Sequence, residues 1–379
     1  SLDAYVASGV RDDHCIARVD DILPRLRRGV SMFLVEAPGR EQVKAFFEYI
    51  LAHEIPTHKM SLCIDNITIM DIVGAYGGYL DKPYRMGLES GLSAVDVVRM
   101  TTLNPATHYK KDSQLGSLTP GRFADIVLLR ELDRFPPEIV IANGKVAARQ
   151  GRMIGEIPAP VIAPDYLNSV HLPAGFSSDY FTVLAEPDKP AAAVRVIRVQ
   201  DGEAFNQCFE AELEVVQGDV QPDLERDILK IAIIERYGQR GSMTTAFVNG
   251  FHLQHGAIAT SYSVPSNNIV VVGTNEEDMA FAAEQIARMQ GGFVVVDNEQ
   301  MLAEVSLQIG GIMTSAPYEN VLEDVEKANA AARSLGCPLE HPFFTMAQTV
   351  LSSLPDLGLT DRGLVDVPSG KVIDVVIKE

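Results

Sequence analysis

Between residues 20 and 112 short apolar runs alternate with segments of helical apolar spacing, and they do so only about three times. Alternation of that kind specifies parallel βα units, as in a (β/α) barrel. DDILPRLRR (20–28) is helical in pattern, with Pro24 tolerable in a first turn. VSMFLVE (30–36) and MSLCID (60–65) are short apolar strands, and REQVKAFFEYILAHE (40–54) places Val43, Phe46, Phe47 and Ile50 at helical spacing. Ser93, followed three residues later by Asp96, is the start signal of a helix through AVDVVRMTTL (94–103). An eight-unit barrel takes roughly 250 residues, so this stretch is expected to be less than half of one.

From residue 115 the texture changes. LGSLTPGRFADIVLL (115–129) has turn residues feeding an alternating strand. EIVIANGKVAARQGRMI (138–154) reads as a hairpin, with Asn143-Gly144 supplying the two positive-φ positions of a type I′ turn. Four prolines in residues 157–175 mark a linker. A second α/β region follows. NNIVVVG (267–273) is a strand, Asn275 caps the helix of EEDMAFAAEQIARMQ, and Gly291-Gly292 ends it. FVVVD and MLAEVSL then form a hairpin around Asn298. The expected architecture is α/β: residues 1–112 as the C-terminal part of a barrel, 113–158 as β-sandwich strands, and 170–379 as a separate domain.

Charge narrows the partners. With 51 acidic against 32 basic residues the net charge is −19, which disfavours nucleic acid and anionic membrane surfaces and favours solubility. No apolar run is long enough to span a bilayer, and the first residues lack a signal-peptide layout. Cys15, Cys63, Cys208 and Cys337 form no CxxC pair and read as reduced thiols, so the expected location is the cytoplasm.

Taken alone, the candidate polar residues are ordinary. His14, between aspartates and Cys15, is a solvated loop histidine, since a transition-metal site takes several ligands. Asp65 closes a strand, as turn and cap residues do. Asp125 is a fold residue, His108 a surface residue after a helix, and His252 and His255 structural.

Three stretches together resemble the adenine deaminases of the amidohydrolase superfamily. They are LDAYVASGVRDDHC (2–15); MTTLNPATHY (100–109) with LGSLTPGRFADIVLL; and GAIATS (256–261), NNIVVVGTNEEDMAFAAEQI and GGFVVVD, closing with LTDRGLVDV (359–367). The match runs through nearly all of the chain in the family's own order. It implies hydrolysis of adenine to hypoxanthine and ammonia at a metal centre in a barrel. It also implies a small β-sandwich, a family-specific C-terminal domain for residues 170–379, and self-association into a homo-oligomer. By that resemblance His14 matches a metal ligand at the end of the sixth barrel strand, and Asp65 matches the aspartate ending the eighth. Asp65 would both ligate the metal (manganese, iron or zinc) and carry the proton of the attacking hydroxide to the leaving ammonia.

The family's HxH pair, bridging carboxylate and fifth-strand histidine have no counterpart here, so the front half of the barrel is expected to be missing. The metal is expected to be unoccupied in this chain and the chain alone inactive. Cys15, Asn66 and residues 264–268 (VPSNN) also depart from the family's acidic and histidine-bearing patterns. Two other readings stay open. One is an inactive truncated or degenerate relative serving as an assembly module; the other is a deaminase or cyclic amidase of the same superfamily acting on a different heterocycle.

Overall fold

Alternation along one short strand decides how the first part of the molecule is layered. A computed structural model describes residues 1–14, 18–36, 42–65, 67–74, 78–186, 188–199, 206–353 and 356–378. The chain divides into two units, Ser1–Pro158 and Ala159–Glu379.

In the first unit, helix α1 (Leu2–Ala7) leads to β1 (Asp12–Asp13), α2 (Ile22–Arg27), β2 (Ser31–Glu36), α3 (Val43–Ala52) and β3 (Met60–Ile64). The strands form a parallel sheet in the order β1–β2–β3. In β2 every second residue, Met32, Leu34 and Glu36, is buried. Met32 and Leu34 share a core with Val43, Phe46, Phe47 and Ile50 of α3, so the helical spacing and the strand alternation name the two sides of one interface. Each such side chain contributes roughly 1.5–3 kcal/mol on burial. The unit continues through α4 (Ile69–Val73), α5 (Asp81–Glu89), α6 (Ala94–Thr101) and α7 (Leu103–His108). The Ser93 side chain caps α6 by accepting the Asp96 N–H, as the spacing predicts. This is a partial (β/α) barrel.

A four-stranded antiparallel sheet follows: β4 (Ile126–Leu128), β5 (Ile139–Ala142), β6 (Lys145–Arg149) and β7 (Arg152–Met153). Asn143 and Gly144 take φ of 49° and 76° at the β5–β6 turn, and Asp125 Oδ1 accepts the Asn143 N–H at 2.7 Å. Asp125 is therefore a fold residue, as expected. None of the four strands contains a fully buried residue.

The second unit is built on a nine-stranded sheet. Its strands are β8 (Ala191–Arg198), β9 (Gln207–Val216), β10 (Asp219–Val220), β11 (Ile228–Ile234), β12 (Met243–Asn249), β13 (Ala257–Thr260), β14 (Ile269–Gly273), β15 (Gly292–Asp297) and β16 (Gln300–Ser306). Their order is β10–β9–β8–β12–β11–β14–β13–β15–β16, with β8–β12 the one parallel pair among the described residues of this sheet. Helix α8 (Glu276–Arg288) covers one face, against Ala232, Ile234, Val271 and Val294. On the other face α9 (Tyr318–Ser334) and α10 (Pro342–Thr349) pack with Ile231, Ile233, Val270 and Val295. Strands buried on both faces carry unbroken apolar runs, which is why β14 is IVVVG. The segment β14–α8–β15 is a crossover that skips a place, because β13 lies between its two strands. A Cβ on Gly292, at φ 141°, would collide with the Val305 carbonyl, so the glycine that closes the helix also admits β16. The chain ends in a small sheet of β17 (Leu357–Thr360), β18 (Gly363–Asp366) and β19 (Lys371–Ile373). No helix among the described residues is long and apolar enough to cross a membrane.

Candidate functional site

The C-terminal ends of β1, β2 and β3 lie along one sheet edge, where barrel enzymes place their chemistry. His14 follows the last residue of β1 and Asp65 the last residue of β3. The register pairs Asp13 with Met32, Phe33 with Ser61, and Val35 with Cys63. Continuing the alternation, His14, Phe33, Val35, Cys63 and Asp65 share one face, while Asp13, Met32, Leu34 and Glu36 face the helices. His14 Nε2 stands 3.7 Å from Asp65 Oδ2, with both side chains about half exposed. The two residues singled out in the sequence, 51 positions apart, are thus brought together.

Two other groups belong to the same face. Burial pushes the Cys63 thiol up, and the charge of Asp65 adds to the shift. His108, expected as a surface residue after a helix, is instead the last residue of α7 and largely covered. Its Nε2 lies 3.0 Å from Asp12 Oδ2, and its ring meets Phe33 edge-on at 5.1 Å. That placement depends on the α7–sheet contact, which leaves no local signal in NPATHY.

On the helix face the strand ends are tied by ion pairs. Arg25 Nε of α2 donates to Asp13 Oδ2 at 2.7 Å, and Lys82 Nζ of α5 lies 3.3 Å from the buried Glu36 carboxylate. Neither pair was anticipated, since each joins residues whose proximity only the folded layers create.

A carboxylate beside an imidazole can exchange and orient protons. It can also offer an oxygen and a nitrogen donor to a divalent metal. Among the described residues, however, no three His, Cys, Asp or Glu side chains converge to hold one, and a catalytic zinc takes three protein ligands. The pair has the right donor chemistry but does not by itself fit that metal. His252 and His255 do not converge. His252 Nε2 is 3.4 Å from Asp227 and His255 Nδ1 is 3.0 Å from Asp297, each a structural pair as expected. Cys15 and Asn66 lie outside the described residues. In the VPSNN stretch Asn268 is buried, with its amide 3.4 Å from Asp361 Oδ1.

Comparison with known proteins adds two family matches. Residues 203–371 match the adenine deaminase C-terminal domain, and residues 41–147 match the amidohydrolase family. An adenine deaminase from Desulforamulus reducens is 36% identical over 378 residues, covering 100% of this chain and 63% of the relative. One from Moorella thermoacetica is 32% identical, over 99% of this chain and 63% of its own length. One from Brucella melitensis biotype 1 is 35% identical, over 97% and 61%. The chain thus spans under two thirds of the length of these curated relatives. Among solved structures, a beta-aspartyl dipeptidase from Fervidobacterium islandicum overlaps 37% of this chain and 38% of its own at 22% identity, with a TM-score of 0.29.

Proposed function

We infer, from a chain that belongs to the adenine deaminase family, that its sheet edge at His14 and Asp65 serves the hydrolytic deamination of adenine to hypoxanthine and ammonia. The observation that supports this reading is the approach of His14 and Asp65 across the C-terminal strand ends at 3.7 Å. In the reaction a water oxygen bonds to C6 of the purine and the C6–amino bond breaks. Asp65 accepts one proton of the attacking water and returns it to the departing nitrogen, which leaves as ammonia, while the second water proton ends on N1 as C6 becomes a carbonyl. His14, 3.7 Å from Asp65, would offer with it the nitrogen and oxygen donors that a metal takes. Manganese, iron or zinc is the metal that family membership suggests. The described donors do not complete its ligand set.

With this reading go a cytoplasmic, self-associating protein and a small heterocycle as partner, which a net charge of −19 supports over a polyanion. It assigns residues 1–112 to the barrel, 113–158 to the sandwich and 170–379 to the C-terminal domain.

Ammonia release from adenine, measured for this chain within a protein of the relatives' full length and for the same protein with Asp65→Asn, tests it. The amide cannot take the proton, so turnover should fall about 10²–10⁴-fold with the melting temperature unchanged. Near-normal release by Asp65→Asn removes Asp65 from the mechanism. Release from other aminated heterocycles or cyclic amides, but not adenine, would replace the substrate. No release from any of them would leave the assembly module as the better account.

A further inference from the structure

At the front His14 and Asp65 are about half exposed, whereas the residue just before His14 is gripped from behind. Asp13 and Arg25 are 14% and 19% exposed and meet at 2.7 Å. We propose that Asp13 and Arg25 are positioning residues for the His14–Asp65 pair, holding the end of β1 so that the imidazole faces Asp65.

The argument is one of strand geometry. Successive side chains of an extended strand point to opposite faces, so a fixed Asp13 carboxylate on the helix face fixes the direction in which His14 leaves on the other. The anchor behind Asp13 is firm. Arg25 also reaches Asp21, through Nη1 to its Oδ1 at 3.2 Å and to its carbonyl at 3.3 Å. Its helix α2 is seated by Ile22, which is wholly buried in the core with Met32 and Leu34. Strand β1 has only two residues paired to β2, so its ladder alone constrains the direction of His14 weakly. A planar guanidinium with two acidic partners supplies directional bonds that a short strand lacks. Glu36, held by Lys82 on the same face of the next strand, repeats the arrangement.

The inference rests on the reading of His14 and Asp65 as the working pair, and its test is separable from that reading. In protein with labelled histidine and aspartate, a nuclear Overhauser cross-peak between the His14 ring and the Asp65 β protons reports their approach directly. We expect the cross-peak in the wild type, its loss in Arg25→Met and Asp13→Asn, and its partial return in Arg25→Lys, which keeps the charge. Where deamination is measured alongside, kcat should fall roughly 10- to 100-fold with KM unchanged, as for a misplaced catalytic group. An unchanged cross-peak in Arg25→Met, even with a lowered melting temperature, makes the ion pair a fold contact only and overturns the proposal. Absence of the cross-peak in the wild type overturns it as well. Should Arg25→Met fail to fold, the milder Asp13→Asn and Arg25→Lys carry the same comparison. Unimpaired deamination by Asp65→Asn would instead sink the functional reading and leave the positioning result standing.

Discussion

Asp96 shows how much one carboxylate can do at a helix start. Its backbone N–H bonds the Ser93 hydroxyl at 3.1 Å, and its oxygens accept from Ser93 at 2.6 Å and from Thr57 at 2.9 Å. The Ser93 bond foremost, then that of Thr57, holds the carboxyl below its ordinary value of 3.8. A depressed carboxylate stabilises the fold fully above the unfolded value and loses that contribution as pH falls through the folded one. Asp96→Asn should therefore cost roughly 1 kcal/mol near pH 6 and very little in strong acid. Urea unfolding at the two pH values decides it, and a cost independent of pH would show the charge to be irrelevant. Half of this arrangement is legible in the sequence, because Ser93 and Asp96 have the spacing of a cap. Thr57 lies 39 residues away and is brought there by folding alone. The site divides in the same way. His14 and Asp65 stand out in the sequence through the family pattern, whereas Asp13–Arg25 and Asp12–His108 have no pattern to be found by.

Among the elements, α8 was announced most clearly and its surroundings least. Asn275 Oδ1 accepts the Asp278 N–H at 2.8 Å, and the Asn275 amide reaches Asp278 Oδ2 at 2.9 Å. Asp278 Oδ1 in turn takes the Glu299 N–H at 2.7 Å, so the cap also pins the β15–β16 turn. Asn275→Ala should lose about 1 kcal/mol of unfolding free energy and Asn275→Gly only a few tenths. Unchanged stability of Asn275→Ala, measured by chemical denaturation, would show that the side-chain cap contributes nothing. The insertion of β13 between β14 and β15 was not legible, because strand order is settled by long-range pairing rather than by propensity. Nor does the sequence announce Lys230, wholly buried in the middle of β11. It survives there because Asp219 and Glu276 both reach its ammonium group.

Over the whole molecule, each unit draws its core from its own residues. One cluster around Met32, Phe47 and Met100 serves the first unit, and those around Ile231, Val271 and Val194 serve the second. A chain of residues 159–379 should accordingly fold alone, since its length is that of an ordinary domain. Cooperative thermal unfolding of that fragment, and its survival when thermolysin cuts the exposed residues 155–161, are the expected results. A fragment with no melting transition would show that its core is incomplete. The boundary between the units falls at residues 158 and 159, within the proline-bearing stretch, whereas the change of texture from residue 115 lies inside the first unit. The nine-stranded breadth of the second sheet was not foreseeable, because several of its strands have no hairpin turn signal between them.

The alternation at Asp13 and His14 makes this edge sensitive to counting rather than to chemistry. Conservative replacements in β1 leave both directions as they are. Insertion of a single residue between Asp13, the last paired residue, and His14 leaves the acid in place and reverses the imidazole. The imidazole would then be turned among the helices, away from Asp65. Length in this stretch is therefore held to parity: an odd change parts the imidazole from Asp65 while the grip behind the strand stays in place.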